Sequence, residues 1–263
     1  MKTSTKQLLI NSSLAFVLAG LLATTFHELA HFVSALILDK QGLFHPAYVG
    51  QADGVSKNHQ ILVAAAGPLF SLLSGVAVIM FCRTKLSGFW SLVRMWFGFL
   101  SAEIGFGYFI IAPFAKSGDT GQVLDLIHAN FVITALVCAF GALGTYYLLP
   151  KIFGQLNSVY VTSKKEFFQL GMYPWLIGSG ILVLIYLISE SVLDHSQTVS
   201  FLSIIGTATI GIFTPIADYK KGKTKPHSLT LQTPIIGLVL TTLLILVLFL
   251  LSPHGITIGS GHV

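Results

Sequence analysis

Apolar residues fall in seven long stretches separated by short polar connections: Leu8–Leu38, Ile61–Cys82, Phe89–Pro113, Phe131–Leu149, Tyr173–Leu193, Val199–Pro215 and Pro234–Ser252. A helix needs roughly 20 apolar residues to cross the hydrocarbon core of a bilayer. The pattern therefore predicts an all-α polytopic membrane protein with about seven transmembrane helices. The sixth stretch is the shortest and holds two Gly among several Ser and Thr. The first is too long for one straight span: at 1.5 Å per residue it would extend about 46 Å against a core of about 30 Å. Its membrane part is placed near Leu14–Leu38, which leaves Asn11, Ser12 and Ser13 in the interface. After this helix, the connection Gly42–Gly54 predicts an extended edge or a short β-hairpin around Leu43–Val49.

Composition agrees with the pattern. Apolar residues make up 54% of the 263 and charged residues 10%, where soluble domains average about 25% charged. No connection is long enough for an extra soluble domain. The apolar run that follows Lys2 and Lys6 extends far past signal-peptide length, so no cleavable leader is expected. Cys82 and Cys138 both lie in apolar stretches and read as buried thiols rather than a disulfide or metal pair.

The net charge of +5 is informative through its distribution. With seven spans, Lys2, Lys6, Arg83, Lys85, Arg94, Lys151, Lys164, Lys165, Lys220, Lys221, Lys223 and Lys225 share one side. Lys40, Lys57 and Lys116 lie on the other. A bias of this kind marks topology rather than nucleic-acid binding, and it places the N-terminus in the cytoplasm and the C-terminus outside.

Within the first apolar stretch stands His27-Glu28-Leu29-Ala30-His31. Imidazoles at i and i+4 lie on one helix face and can share a Zn²⁺ ion. Glu28 is displaced about 100° around the helix, within reach of a water activated by that metal. Ionisable groups inside a membrane helix cost roughly 2.5–3.5 kcal/mol each on insertion scales, so three together point to function. A catalytic zinc site normally has three protein ligands. Asp119, after the third stretch and on the same side as the end of the first, is the leading candidate for the third. Glu103 lies mid-span and should be deeper, and Asp125 could lie behind the ligands. His45, His59 and His128 read as surface or interfacial residues.

Further along, Ala64-Ala65-Ala66-Gly67-Pro68 opens the second span. Small residues allow close helix approach, and Pro68 frees a carbonyl one turn earlier.

Together these residues resemble the site-2 protease family of intramembrane zinc metalloproteases. His27–His31 is similar to the family's zinc helix, Ala66-Gly67-Pro68-Leu69 to its Gly-Pro element, and Gly118-Asp119-Thr120-Gly121 to its Asp-bearing element. The last departs from the usual pattern: Ala112 precedes Pro113 where Asn is usual, and Thr120 stands where Gly is usual. The resemblance covers about residues 14–130. It implies a three-helix catalytic core in residues 1–130, with residues 131–263 as supporting or gating helices. It also implies Zn²⁺ held by His27, His31 and Asp119, Glu28 as catalytic base, and Gly67 and Pro68 at the substrate. The expected activity is hydrolysis of peptide bonds in or near transmembrane segments of membrane-protein substrates. The alternative is a non-proteolytic metal-binding membrane protein or transporter. The expected location is integral and multi-pass, in the cell membrane or a bacterial inner membrane, with the lipid bilayer and a substrate helix as partners and no nucleic acid. In this family the zinc helix usually runs from outside to cytoplasm. The charge bias implies the reverse, so the two signals place the opening of the site on opposite sides.

Overall fold

A computed structural model of the chain describes residues 5–39, 41–45, 48–50, 54–81, 88–116, 118–157, 160–161, 163–190, 231–251 and 255–258. The first helix, α1, is unbroken over Thr5–Asp39. A hairpin follows, with β1 at Gly42–His45 and β2 at Tyr48–Gly50. Next come α2 (Lys57–Phe81), α3 (Phe89–Ile111) and the short α4 (Asp119–Leu126). Helix α5 (Phe131–Leu143) passes through a π-helical turn, Gly144–Leu148, into α6 (Leu149–Asn157). Helices α7 (Lys164–Leu170), α8 (Met172–Glu190) and α9 (Ile235–Leu251) precede a last strand, β3 (Ile256–Ile258). Asn130 and Ser163 start α5 and α7 by accepting from the backbone N–H groups of Ile133 and Glu166, as good N-caps do.

Among the described residues, four helical segments are long and apolar enough to cross a membrane: Lys6–Leu38, Lys57–Phe81, Phe131–Asn157 and Lys164–Ile185. Ile235–Leu248 is apolar but shorter. Helix α3 carries Arg94 and Glu103, which lower its hydropathy, yet it is the most enclosed of all. The sixth predicted stretch, Val199–Pro215, and Cys82 lie outside the described residues.

Contacts fix the direction of each helix. Phe16 meets Trp96 and His27 meets Tyr108, so α1 and α3 run parallel. His27 meets Ser71 and His31 meets Val63, so α2 runs against α1. Added Cβ atoms at Gly178 and Gly20 would strike Phe16 and Leu182 respectively, which sets α8 parallel to α1. Gly141 and Gly144 press on Phe106, and Cys138 Sγ reaches the Ile110 carbonyl, so α5 descends along α3. Gly237 abuts Phe89 near the start of α3 while Gly255 abuts Phe44 at the far end, so α9 runs with α1. Glycines seat α2 on α3: a Cβ at Gly75 would lie 2.2 Å from the Ala102 nitrogen, and one at Gly105 2.7 Å from Leu72 Cβ. This is the small-residue packing that membrane helices use when no water drives them together.

Two expectations change. Asn11, Ser12 and Ser13 are buried within the protein. Ser12 Oγ accepts from Trp96 Nε1 at 2.9 Å and donates to the Leu170 carbonyl at 2.7 Å, so these polar residues tie three helices together. The sheet is also larger than a hairpin. Strand β1 lies between β2 and β3, antiparallel to both, with Leu43 opposite Gly50 on one side and Thr257 on the other. Gly255, at φ +63°, lets the chain turn close to the Phe44 carbonyl. Phe44 packs on Phe32 (centroids 5.5 Å), the residue after His31, so the sheet is anchored to α1 beside the motif.

Candidate metal centre

Helices α1, α2, α3 and α4 converge on the middle of the C-terminal half of α1. His27 and His31 are 2% and 5% exposed. Their rings meet edge to face, and their Nε2 atoms are 3.2 Å apart. Asp119 Oδ2 stands 3.0 Å from His27 Nε2 and 3.1 Å from His31 Nε2. Among the described residues, this is the group of His, Cys and acidic side chains that could hold a metal ion.

The outer ring nitrogens are engaged as well. His31 Nδ1 donates to the Val63 carbonyl at 2.6 Å. A carbonyl only accepts, so Nδ1 carries the proton and Nε2 of the neutral ring presents a lone pair. His27 Nδ1 lies 3.0 Å from Ser71 Oγ, a hydroxyl able to accept in the same way. With both rings in this tautomer, two lone-pair nitrogens and a carboxylate oxygen face one point with no proton between them, and such a trio calls for a cation. The spacing suits zinc: ligand atoms at 2.0–2.1 Å in a tetrahedron stand about 3.3–3.4 Å apart, and the three observed separations are 3.0, 3.1 and 3.2 Å. Zinc, an N/O-binding ion, fits this donor set.

Glycines make the convergence possible. A Cβ at Gly67 would lie 2.2 Å from His31 Nε2, so α2 can approach the ring only because residue 67 has no side chain. A Cβ at Gly121 would lie 1.9 Å from the Ala115 carbonyl oxygen, so the first turn of α4 nests against the turn that ends α3. Gly118 is the N-cap residue of α4 and Asp119 its first helical residue. The Asp119 side chain is therefore free of capping duty and points to the histidines. Its carboxyl, 24% exposed, is the most accessible member of the trio.

Glu28 is 7% exposed and lies within charge-interaction range of His31 and Asp119. Gly67 and Pro68 are both buried, Gly67 against the His31 ring. Glu103 sits apart from the trio, five residues before Tyr108, and its Oε1 has no hydrogen-bond partner among the described residues. Asp125 pairs at the surface with Lys116 at 3.4 Å. His128 faces Lys57, whereas His45, expected at a surface, is 2% exposed at the end of β1.

Two neighbours escaped the sequence reading. Tyr108 stacks on His27 (centroids 4.9 Å, planes 12° apart) and lies within interaction range of Asp119. Ser71 reaches the same ring from α2. Neither carries a local signal, because each is defined by a contact across helices. No protein-family model, curated protein or solved structure matches the chain.

Proposed function

We propose that this chain is a multi-pass membrane zinc metallopeptidase, akin to the site-2 proteases, that cuts membrane-protein substrates within or beside a transmembrane helix. The observation that carries this reading is the convergence of His27, His31 and Asp119 to within 3.0–3.2 Å, with a buried Glu28 on the adjoining helix face. Structural sites use up four protein ligands, whereas three leave a position open for chemistry.

His27, His31 and Asp119 would hold the zinc. When bound, zinc activates a water and polarises the scissile carbonyl. Glu28 accepts the proton of the attacking water and returns it to the leaving amine nitrogen. Asp119 stays ionised and contributes negative charge to the ligand set. Gly67 and Pro68 act on substrate through the site they shape rather than through exposed side chains. A substrate helix must unwind before its carbonyl is free. Both flanks of β1 are occupied, so an unwound substrate strand would join the sheet at an outer edge, that of β2 or of β3.

The seven-span topology belongs to the same proposal. It requires the fifth and seventh spans to run with the first, and α8 and α9 both do. The catalytic core is assigned to residues 1–130, since every member of the trio and its neighbours falls there.

Metal analysis beside a cleavage assay on a transmembrane substrate tests the reading. Glu28→Gln keeps zinc and loses cleavage, while His31→Ala loses both. Full cleavage by Glu28→Gln ends the peptidase reading. Zinc bound by the wild type with no cleavage of any transmembrane substrate favours the non-proteolytic alternative.

A further inference from the structure

We propose that Ser71 and Tyr108 are positioning residues that fix His27 and Asp119 as metal ligands. The inference rests on the metal-centre reading and extends it to residues outside the motif. A ligand nitrogen must be held to within about 0.2 Å of its ideal distance. His31 is held by the backbone, through the Val63 carbonyl. His27 is held chiefly by the side chains of Ser71 and Tyr108, with the Gly67 backbone also near its ring. Ser71 Oγ, 1% exposed, meets Nδ1 at 3.0 Å and sets the rotation of the ring. Tyr108 lies across one face, nearly parallel to it at 12°, and sets its tilt. Partners of this kind select the tautomer that leaves Nε2 free to bind metal.

Tyr108 has a second task. It is only 9% exposed and a buried phenol needs a partner, a role that under this proposal falls to the nearby Asp119 carboxylate. A carboxylate offers about four lone-pair positions, so it can accept from Tyr108 while its Oδ2 faces the histidines. One side chain of α3 thus ties the ring of α1 to the acid of α4. Those two ligands are 92 residues apart in sequence.

The test uses the purified full chain with Zn²⁺ and Co²⁺ as probes. Tyr108→Phe keeps the stack and removes the hydroxyl. Ser71→Ala removes the Nδ1 partner and Ser71→Thr restores it. Zinc affinity is read by competition with a chromophoric chelator, and the Co²⁺ visible spectrum reports ligand geometry. Tyr108→Phe and Ser71→Ala should each weaken zinc binding by about 10–100-fold, the usual effect of losing such a partner. Both should change the Co²⁺ bands, and Ser71→Thr should recover most of the affinity. Tyr108→Phe is nearly isosteric, so it remains informative should Ser71→Ala fold poorly. Wild-type affinity and an unchanged Co²⁺ spectrum in both variants overturn the proposal alone. A wild-type chain that binds neither ion overturns the metal-centre reading and this inference with it.

Discussion

Gly67→Ala adds one methyl group at the most crowded point of the site. The new Cβ would stand 2.2 Å from His31 Nε2 and 2.7 Å from both adjoining ring carbons, where ordinary contact begins at 3.4 Å. The ring must retreat by about 1.2 Å, six times the roughly 0.2 Å tolerated in a metal–ligand distance. Helix α2 cannot simply step aside, because Gly75 and Gly105 seat it against the backbone and side chains of α3. Overpacking of this kind costs about 1–3 kcal/mol. The larger effect is on the ligand itself: displacing His31 Nε2 should weaken zinc binding beyond the roughly 10–100-fold expected for losing an outer partner. Gly180→Ala is the control, since nothing lies within 4 Å of its added Cβ. Alanine also suits a helix interior better than glycine by about 1 kcal/mol. Chelator competition on both variants, with thermal unfolding in detergent, reads affinity and stability separately. If Gly67→Ala binds zinc within threefold of wild type, the close approach of α2 to His31 does not matter to the site and the reasoning fails.

Gly121→Ala should destabilise by about 1–3 kcal/mol and also lower metal affinity, because its Cβ meets a backbone oxygen at 1.9 Å and the α4 turn carrying Asp119 must move. Thermal unfolding and chelator titration check it, and an unaltered metal affinity would contradict it. Ser12→Ala should cost about 1–3 kcal/mol with no effect on metal, since it strips the partner from the buried Trp96 Nε1 at the other end of α1; a parallel loss of zinc would show that the two ends are not independent. Reporter fusions should place the N-terminus and the C-terminus on opposite sides, since β1–β3 pairing holds the exits of α1 and α9 together; reporters on one side would break the parallel arrangement of these helices.

The His27–His31 pair was legible as a possible metal site because it is local: two imidazoles and a carboxylate at helical spacing in an apolar run need no tertiary knowledge. Asp119 was legible by chain alternation, which put it at the correct end of the bundle, and the structure brings it to the two rings. The glycines were visible as small residues, but that Gly67 makes room for a ligand ring depends on an inter-helix approach that no spacing encodes. Ser71 and Tyr108 were hidden for the same reason. The hairpin could be read from the extended segment after α1, whereas β3 could not. Three residues, Ile256–Ile258, become a strand only because β1 offers them an edge more than 200 residues away in sequence. Asn11, Ser12 and Ser13 misled as an interface signal because polarity near a helix end does not reveal whether its partner is solvent, lipid headgroup or Trp96.

Zinc K-edge X-ray absorption on the purified chain, wild type beside Asp119→Ala, tests the central claim most directly. The account predicts one zinc per chain, with nitrogen and oxygen ligands near 2.0–2.1 Å, outer-shell scattering from two imidazoles, and loss of that signature in Asp119→Ala. A chain that takes up no zinc, or a spectrum unchanged by Asp119→Ala, would contradict it.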